Sequence, residues 1–170
     1  MKIGRLTISD RASAGLYEDR SGPEIERILA DAFGADAVFE IAVVPDEREL
    51  IATTLRELAD QRHCDLVVTT GGTGIGPRDV TPEAMRDVLE KELPGFGEAM
   101  RTQSLAKVKT AILSRATAGT RGRCLIVNLP GRPEAVRECL DLLAPAMAEG
   151  VALLRGEDPH SSPANTPKNP

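Results

Sequence analysis

Apolar residues along the chain fall into two alternating patterns, which predict strands and helices that follow one another. Several short segments rich in β-branched and aliphatic residues are typical of strands. The segment DLVVT at 65–69 is apolar without alternation, which indicates a central strand buried on both faces. The predicted strands are residues 2–9, 38–44, 65–69, 110–113 and 124–128.

Between these strands, apolar residues recur at three- and four-residue intervals, which predicts amphipathic helices. Ser21 is a candidate N-cap residue for a helix over 23–33, and Glu24 completes a capping box. The remaining predicted helices span about 47–61, 83–91, 96–106 and 133–155, and residues 116–122 are predicted to form a turn or short hairpin.

The order of these elements predicts one α/β domain with an open, mostly parallel sheet covered by helices on both faces. We assign the domain to residues 1–156. Residues 157–170 contain four prolines and no apolar periodicity, which favours a disordered C-terminal tail.

An open parallel sheet binds ligands in the crevice beyond the carboxyl ends of its strands. Three loops follow predicted strands, at 9–13, 70–81 and 128–132. We therefore expect these loops to meet at one edge of the sheet and to form the ligand site.

Composition and charge exclude some ligands. Aromatic residues make up only 2% of the chain and the net charge is −5, which argues against base stacking and against a coat on nucleic acid. The charge is uneven, because residues 1–94 carry 11 basic and 19 acidic residues. Residues 95–131 carry six basic residues against one acidic residue, so this segment is a candidate to offset a small polyanion.

The cysteines predict a cytoplasmic protein with reduced thiols. Cys64, Cys124 and Cys139 are odd in number and widely spaced, and they read as buried small side chains. The N-terminus lacks the layout of a signal peptide, and no apolar run approaches the length of a membrane span.

The glycine-rich loop at Thr70, Gly71, Gly72, Thr73 and Gly74 is the strongest local signal. Glycines let the backbone approach a ligand, and successive N–H groups form a concave donor surface for phosphate. The spacing fits neither a Walker A motif nor a dinucleotide fingerprint. A purely structural turn is the alternative.

Asp79 follows the loop directly, and Asp46 lies where the second strand turns into a helix. A carboxylate beside a phosphate-binding loop commonly holds Mg²⁺, which bridges phosphate oxygens. The two aspartates are therefore candidate ligands for one shared magnesium ion. The alternative for each is a helix cap.

Other polar residues also follow predicted strands. Asp10, next to Ser9, is a candidate acceptor for ligand hydroxyls or a local cap. Arg115, next to Ser114, is a candidate phosphate ligand or a solvated surface residue. The turn formed by Asn128, Leu129, Pro130 and Gly131 suits either close approach to a planar ring or a plain turn.

Six segments of the chain form a recognisable set: LTISDRAS (6–13), VVPDE (43–47), VVTTGGTGIGPRDVTPEAM (67–85), PGFGEAMR (94–101), AILSRATAG (111–119) and LIVNLPGRP (125–133). In this order and spacing they resemble the molybdopterin adenylyltransferases, the MogA/MoaB-like proteins. The similarity covers about residues 2–155, and TTGGTG followed by RDVTPEA is its most specific part. The SDRAS and GxYxD elements favour the MogA branch over the MoaB branch.

The resemblance implies a fold and a reaction. The fold is a three-layer α/β/α sandwich with a mostly parallel mixed sheet, assembled as a homotrimer. The reaction transfers AMP from Mg-ATP to the terminal phosphate of molybdopterin and releases pyrophosphate. A downstream molybdate-insertion enzyme then takes the product.

The resemblance also implies roles for individual residues. Asp46 and Asp79 match essential acidic positions that manage magnesium and the transfer. The loop from Thr70 to Gly74, with Asn128, Pro130 and Gly131, matches the nucleotide side. Ser104, Ser114 and Arg115 match the molybdopterin side, to which we also assign Ser9 and Asp10. Two alternatives stay open: a non-catalytic molybdopterin carrier, and a structural trimer module that binds neither ligand.

Overall fold

Six strands form one sheet in the computed structural model, which describes residues 1–157 of the chain. In chain order they are β1 (Lys2–Ile8), β2 (Val38–Val44), β3 (Leu66–Thr70), β4 (Lys91–Glu92), β5 (Ala118–Arg121) and β6 (Cys124–Leu129). Across the sheet the order is β2-β1-β3-β6-β5-β4. The first four strands of this order pair in parallel, whereas β5 pairs antiparallel with β6 on one side and with β4 on the other. The sheet is therefore mixed and mostly parallel, as predicted, and β3 lies inside it.

Helices follow most of the strands, as the alternation predicts. In chain order they are α1 (Asp10–Ser13), α2 (Ser21–Phe33), α3 (Arg48–Arg56), α4 (Thr81–Arg86), α5 (Pro94–Leu105) and α6 (Pro133–Arg155). A π-helical turn at Glu57–Gln61 continues α3, and a 3₁₀ helix spans Lys109–Leu113.

Two apolar clusters lie on opposite faces of the sheet. Leu66 and Val68 of β3 enter one cluster, together with side chains of α2, α5 and α6. Val67 enters the other cluster, with side chains of α3 and α4. Since successive side chains of a strand point to opposite faces, this division confirms a three-layer α/β/α sandwich.

The predicted strand at 110–113 is wrong, because these residues belong to the 3₁₀ helix. The apolar run TAIL is too short to distinguish a strand from a helical turn by its pattern. Ile112 is 65% exposed and Leu113 is 47% exposed, so the run lies at the surface.

The predicted helix at 83–91 is also shorter than expected. It ends at Arg86, and Lys91 and Glu92 form the edge strand β4 against β5. Of the turn or short hairpin predicted at 116–122, residues 118–121 form strand β5, and Gly122 at φ 53° lies in the turn that connects β5 to β6.

The start of α2 differs from the predicted capping box. Ser21 is the first helical residue, and its hydroxyl donates to Gly131 O over 2.8 Å instead of capping the helix. Asp19 takes the capping role, since its Oδ1 accepts from Gly22 N over 2.8 Å. The helix therefore begins two residues before the predicted position at 23, and its first hydroxyl is tied to the loop after β6.

The three cysteines are buried and unpaired, as predicted. Burial raises the pKa of Cys64 and of Cys139 to about 11, and it also raises the pKa of Cys124. None of the helices among residues 1–157 is long and apolar enough to cross a membrane. The predicted disordered tail lies outside the described residues, apart from Glu157.

Candidate active site

The carboxyl ends of β1, β3 and β6 meet at one edge of the sheet, as the sequence predicts. Gly71 N donates to Leu129 O over 3.2 Å, and Thr70 Oγ1 donates to Pro130 O over 2.6 Å. On the other side of β3, a Cβ added to Gly71 would lie 2.2 Å from Ile8 O. The three strand-end loops therefore enclose one site.

Two glycines of the loop adopt left-handed backbone conformations. Gly71 has φ 104° and Gly72 has φ 62°. Thr81 holds both carbonyl oxygens, since its Oγ1 donates to Gly71 O over 3.1 Å and its N–H donates to Gly72 O over 3.2 Å. A Cβ at Gly72 would lie 2.1 Å from Thr81 Oγ1, so only glycine fits this close approach.

Arg115 holds the next two carbonyl groups of the loop. Its backbone N–H donates to Thr73 O over 2.8 Å, and its Nε donates to Gly74 O over 2.7 Å. Among residues 1–157, the amides of 72–75 donate to no protein group. The loop therefore keeps its carbonyls within the protein and leaves successive N–H groups for an anionic ligand.

Asp46 lies against this loop. Asp10 N donates to Asp46 Oδ2 over 2.9 Å, and Asp46 N donates to Asp10 Oδ1 over 3.0 Å. Arg78 donates twice to the Asp10 carboxylate, over 2.7 and 2.9 Å, and this pairing lowers the pKa of Asp10. Asp46 Oδ1 lies 3.2 Å from the Cβ position of Gly72. Asp46 therefore faces the loop, while Arg78 neutralises Asp10.

Asp79 approaches the loop at its other end. Its Oδ2 accepts from Gly76 N over 2.8 Å and lies 2.7 Å from the Cβ position of Gly74. The N-cap positions of α3 and α4 are Glu47 and Val80, and neither helix has a side-chain cap. Neither Asp46 nor Asp79 is thus the N-cap residue of the helix that follows it, although each carboxylate accepts a hydrogen bond from a backbone amide.

The electrostatics of Asp46 favour a cation. Burial raises the pKa of Asp46, and the negative charges of Asp10 and Asp79 raise it further. A backbone hydrogen bond from Asp10 has the opposite effect, which is smaller than that of burial. A nearby positive charge would relieve this cost. Carboxylate and phosphate oxygens suit Mg²⁺, so the residues fit this metal. No group of three or more His, Cys, Asp and Glu residues suited to a metal occurs among residues 1–157, so water molecules or a substrate would supply the other ligands of a magnesium ion here.

A cavity of about 740 Å³ opens beside the loop. It contains Arg132, which the sequence analysis did not single out and whose side chain forms no hydrogen bond or ion pair with the described residues. Its position directly after the loop at 128–131 was the available signal. The predicted site residues that line this cavity are Thr73, Gly74, Asp79, Ser104, Ser114, Pro130 and Gly131.

The basic segment at 95–131 contributes less free charge than its composition indicates. Arg101 lines the large cavity but donates to Ser114 O and Ala116 O. Lys107 lines it too and pairs with Glu138 over 2.8 Å. These cations hold protein groups, so backbone amides and Arg132 are the better candidates to receive ligand phosphates.

A second, smaller cavity of about 150 Å³ lies on the other side of the loop. It is lined by the predicted residues Ser9, Thr70, Gly71 and Gly131. It also includes Tyr17, Asp19 and Ser21, which we had not assigned to the site. Gly131 lines both cavities, so the loop after β6 separates them.

Five predicted residues line neither cavity: Asp10, Asp46, Gly72, Arg115 and Asn128. Asn128 is fully buried, and its Nδ2 donates to Thr69 Oγ1 over 2.8 Å and to Gly71 O over 3.4 Å. Its Oδ1 has no partner among the described residues. Asn128 therefore stabilises the start of the glycine loop from the protein interior and lines neither cavity.

Arg115 also faces protein groups. In addition to Gly74, its guanidinium donates to Asp79 O and to Glu83 Oε1. Burial is the largest single influence and opposes ionisation of Glu83, but the hydrogen bonds from Arg115 and from the backbone, together with the positive charges of Arg115 and Arg86, lower the pKa of Glu83. The sequence analysis missed Glu83, because its pairing depends on a residue 32 positions away.

A buried ion-pair network next to the smaller cavity was also missed. Arg5 is 6% exposed and pairs with Asp19 over 2.8 Å and with Glu26 over 2.7 Å. Asp19 Oδ2 also accepts from Thr7 Oγ1 over 2.7 Å. A charged residue within the apolar segment KIGRLTIS was the available signal.

Asp19→Ala should lower the free energy of unfolding by about 2 to 4 kcal/mol, because it leaves the buried Arg5 short of a partner and removes the cap of α2. Urea unfolding followed by circular dichroism measures this, since the chain has no Trp. Glu18→Ala is the matched control, because Glu18 is 78% exposed and the exposed Arg20 is its one ion-pair partner within residues 1–157. The control should change stability by less than about 0.5 kcal/mol; an equal loss in both variants would contradict the role of the network.

The fold and the strand-end site define an open α/β protein that is built around a glycine-rich loop. The chain belongs to the probable molybdopterin binding domain family, whose model matches residues 4–149. This finding confirms the family indicated by the sequence motifs. The preference for the MogA branch stays a prediction.

Relatives with known names match nearly the whole chain. The molybdopterin adenylyltransferase of Helicobacter pylori strain J99 is 52% identical over 154 residues, which are 91% of this chain and 88% of that protein. The molybdopterin adenylyltransferase of Escherichia coli K12 is 46% identical over 156 residues, covering 92% and 79%. The crystal structure of the molybdopterin biosynthesis enzyme MoaB from Thermus thermophilus matches with a TM-score of 0.82 and 42% identity, covering 92% and 97%.

Proposed function

We propose that this protein is a molybdopterin adenylyltransferase, which transfers AMP from Mg-ATP to the terminal phosphate of molybdopterin and releases pyrophosphate. The observation that carries the proposal is the glycine loop with Asp46 against Gly72 and Asp79 against Gly74. This arrangement combines donors for phosphate with acceptors for a metal ion. The names of the two bacterial relatives support the same reaction.

The residues of the chain act by positioning and by charge. The amides of 72–75 donate hydrogen bonds to phosphate oxygens of ATP. Gly131 lines both cavities, so both substrates can approach the loop after β6. Asp46 and Asp79 would hold Mg²⁺, and the bound ion would supply positive charge to offset that of the phosphate oxygens. Because such a transfer needs no covalent protein intermediate, the buried cysteines have no part in it.

Ser104 and Ser114 line the large cavity, where we place molybdopterin. Arg132, whose side chain has no hydrogen-bond or ion-pair partner among residues 1–157, is available for its terminal phosphate. Ser9 and Thr70 line the small cavity, on the other side of the loop. Scarce aromatic residues mean that hydroxyl, aliphatic and backbone groups hold the pterin.

Pyrophosphate release tests the proposal. The wild-type protein with molybdopterin, ATP and Mg²⁺ should release pyrophosphate in proportion to adenylylated molybdopterin, and omission of any one component should stop the release. Calorimetric titration with each ligand completes the test. Molybdopterin binding without pyrophosphate release would indicate a carrier, and binding of neither ligand would indicate a structural module.

We also propose that the protein forms a homotrimer in the cytoplasm and passes its product to a molybdate-insertion enzyme. The family resemblance supplies the trimer and the downstream partner. On the edge strand β2, exposed apolar side chains at Val38, Ile41 and Val43 support self-association. Light scattering after size-exclusion chromatography should give three times the chain mass of 18.2 kDa, and the mass of a monomer would contradict the trimer.

A further inference from the structure

Arg115 contacts both ends of the segment between Gly74 and Asp79. Its Nε donates to Gly74 O over 2.7 Å, and its Nη2 donates to Asp79 O. A guanidinium has a rigid, planar fork of donors, so two such contacts fix the distance and orientation of the groups that they join. The segment is thus attached to the second residue after the 3₁₀ helix.

This attachment determines where the Asp79 carboxylate lies. The Asp79 carbonyl is held by Arg115, and its Oδ2 is held by Gly76 N over 2.8 Å. With the backbone fixed, the carboxylate stays against Gly74 and at the edge of the large cavity. Without Arg115, the remaining hydrogen bonds of Asp79 are local, because Asp79 N donates to Gly76 O.

Glu83 orients the guanidinium from the opposite side. It lies on α4 between buried residues, and its Oε1 accepts from Arg115 Nη1. Its Oε2 is buried without a hydrogen-bond partner among the described residues. Glu83 lines neither cavity, and Arg115 is the partner through which it reaches the loop.

We propose that Glu83 and Arg115 form a positioning pair, which fixes the segment 74–79 and aims the Asp79 carboxylate at the metal without contacting a substrate. This inference rests on the proposed function and deepens it. It assigns a role to Glu83, and it replaces direct phosphate binding by Arg115 with control of the loop.

Kinetics separate positioning from substrate binding. In Arg115→Met, the kcat for pyrophosphate release should fall about 100-fold, because small displacements of reacting groups are this costly. The Mg²⁺ concentration for half-maximal rate should rise, while the KM for molybdopterin stays within about twofold. Arg115→Lys should not restore the rate, since an ammonium lacks the fork. Glu83→Gln should shift the same quantities in the same direction by less.

Amide hydrogen exchange provides a readout that does not depend on turnover. In the ligand-free protein, amide exchange at Gly76, Asp79 and Thr81 should be faster in Arg115→Met and in Glu83→Gln than in the wild type. These amides are hydrogen-bonded within or beside the segment 74–79. Exchange in β3 and α6 should stay as in the wild type. The variant that combines Arg115→Met with Glu83→Gln should show no faster exchange than Arg115→Met alone, because the two residues act as one unit.

Arg86→Met is the matched control. Arg86 also pairs with Glu83, over 3.5 Å, but it is 60% exposed and forms no hydrogen bond or ion pair with the loop among residues 1–157. It should leave both kinetics and exchange unchanged. If Arg115→Met raised the KM for molybdopterin and left amide exchange normal, Arg115 would bind the substrate directly and the proposal would be wrong. If exchange became faster throughout the sheet, Arg115 would have a general structural role, which would also overturn the proposal. If the wild type releases no pyrophosphate, the proposed function fails. The positioning pair is tested separately, because unchanged exchange at Gly76, Asp79 and Thr81 in Arg115→Met would overturn it.

Discussion

Asp79→Asn should reduce pyrophosphate release at least about 100-fold and leave the fold intact. The variant removes the negative charge that binds Mg²⁺, and electrostatic stabilisation of a transition state is commonly worth this much or more. The asparagine oxygen can still accept from Gly76 N, so the loop keeps its local hydrogen bond. Steady-state assays at increasing Mg²⁺ concentrations, with circular dichroism of the same samples, measure both effects.

Asp31→Asn is the matched control for Asp79→Asn. Asp31 is a surface residue of α2, 75% exposed, and its ion pair with Arg27 over 3.3 Å is weak in solvent. This variant should have wild-type activity. If Asp79→Asn lost its folded circular dichroism spectrum, Asp79 would be a structural residue, and a near-normal rate at saturating Mg²⁺ would remove it from the reaction.

The part of the site that could be predicted from the sequence is the part that is local in the sequence. Thr70 to Asp79 are contiguous, so a glycine loop followed by a carboxylate indicates its chemistry before the fold is known. The convergence of three loops also followed from the sequence, since it depends only on the order of strands and helices.

The roles of Asn128 and Arg115 could not be predicted in this way. Both residues were assigned to ligands, but their main partners in the structure are protein groups that lie 32 to 59 positions away in the chain. A hydrogen-bonding side chain has the same pattern in a sequence whether it faces a cavity or supports a loop. Only the tertiary contacts distinguish the two.

Secondary structure shows the same limit. The sequence predicts a strand at 65–69 because an apolar run without alternation is typical of a strand buried on both faces. The run at 110–113 is as apolar, but it has no neighbouring strand among residues 1–157 and it forms a 3₁₀ helix. Pairing with a neighbour decides such short segments, and the sequence does not show the neighbour.

Asp46→Asn should abolish activity and should stabilise the protein at neutral pH. Burial and the charges of Asp10 and Asp79 raise the pKa of Asp46 above its unfolded value, although the backbone hydrogen bond from Asp10 and the charge of Arg78 oppose this. A raised pKa means that the ionised form is less favourable in the folded state than in the unfolded state. The cost is absent below the unfolded pKa, and it is fully present above the folded pKa. Asparagine removes the charge and still accepts from Asp10 N, so the cost disappears.

Thermal unfolding of the ligand-free protein between pH 3 and pH 8 measures this effect. The advantage of Asp46→Asn over the wild type should grow as the pH rises through the acidic range and then stay constant. Asp10→Asn is the contrasting variant, because Arg78 lowers the pKa of Asp10. It should destabilise the protein above the unfolded pKa, and this loss should vanish as the pH falls through the folded pKa. A lower midpoint for Asp46→Asn at neutral pH would mean that the Asp46 carboxylate stabilises the fold. In that case its place beside Gly72 would reflect structure, and the cost of holding two acidic groups at the loop would no longer point to a bound cation.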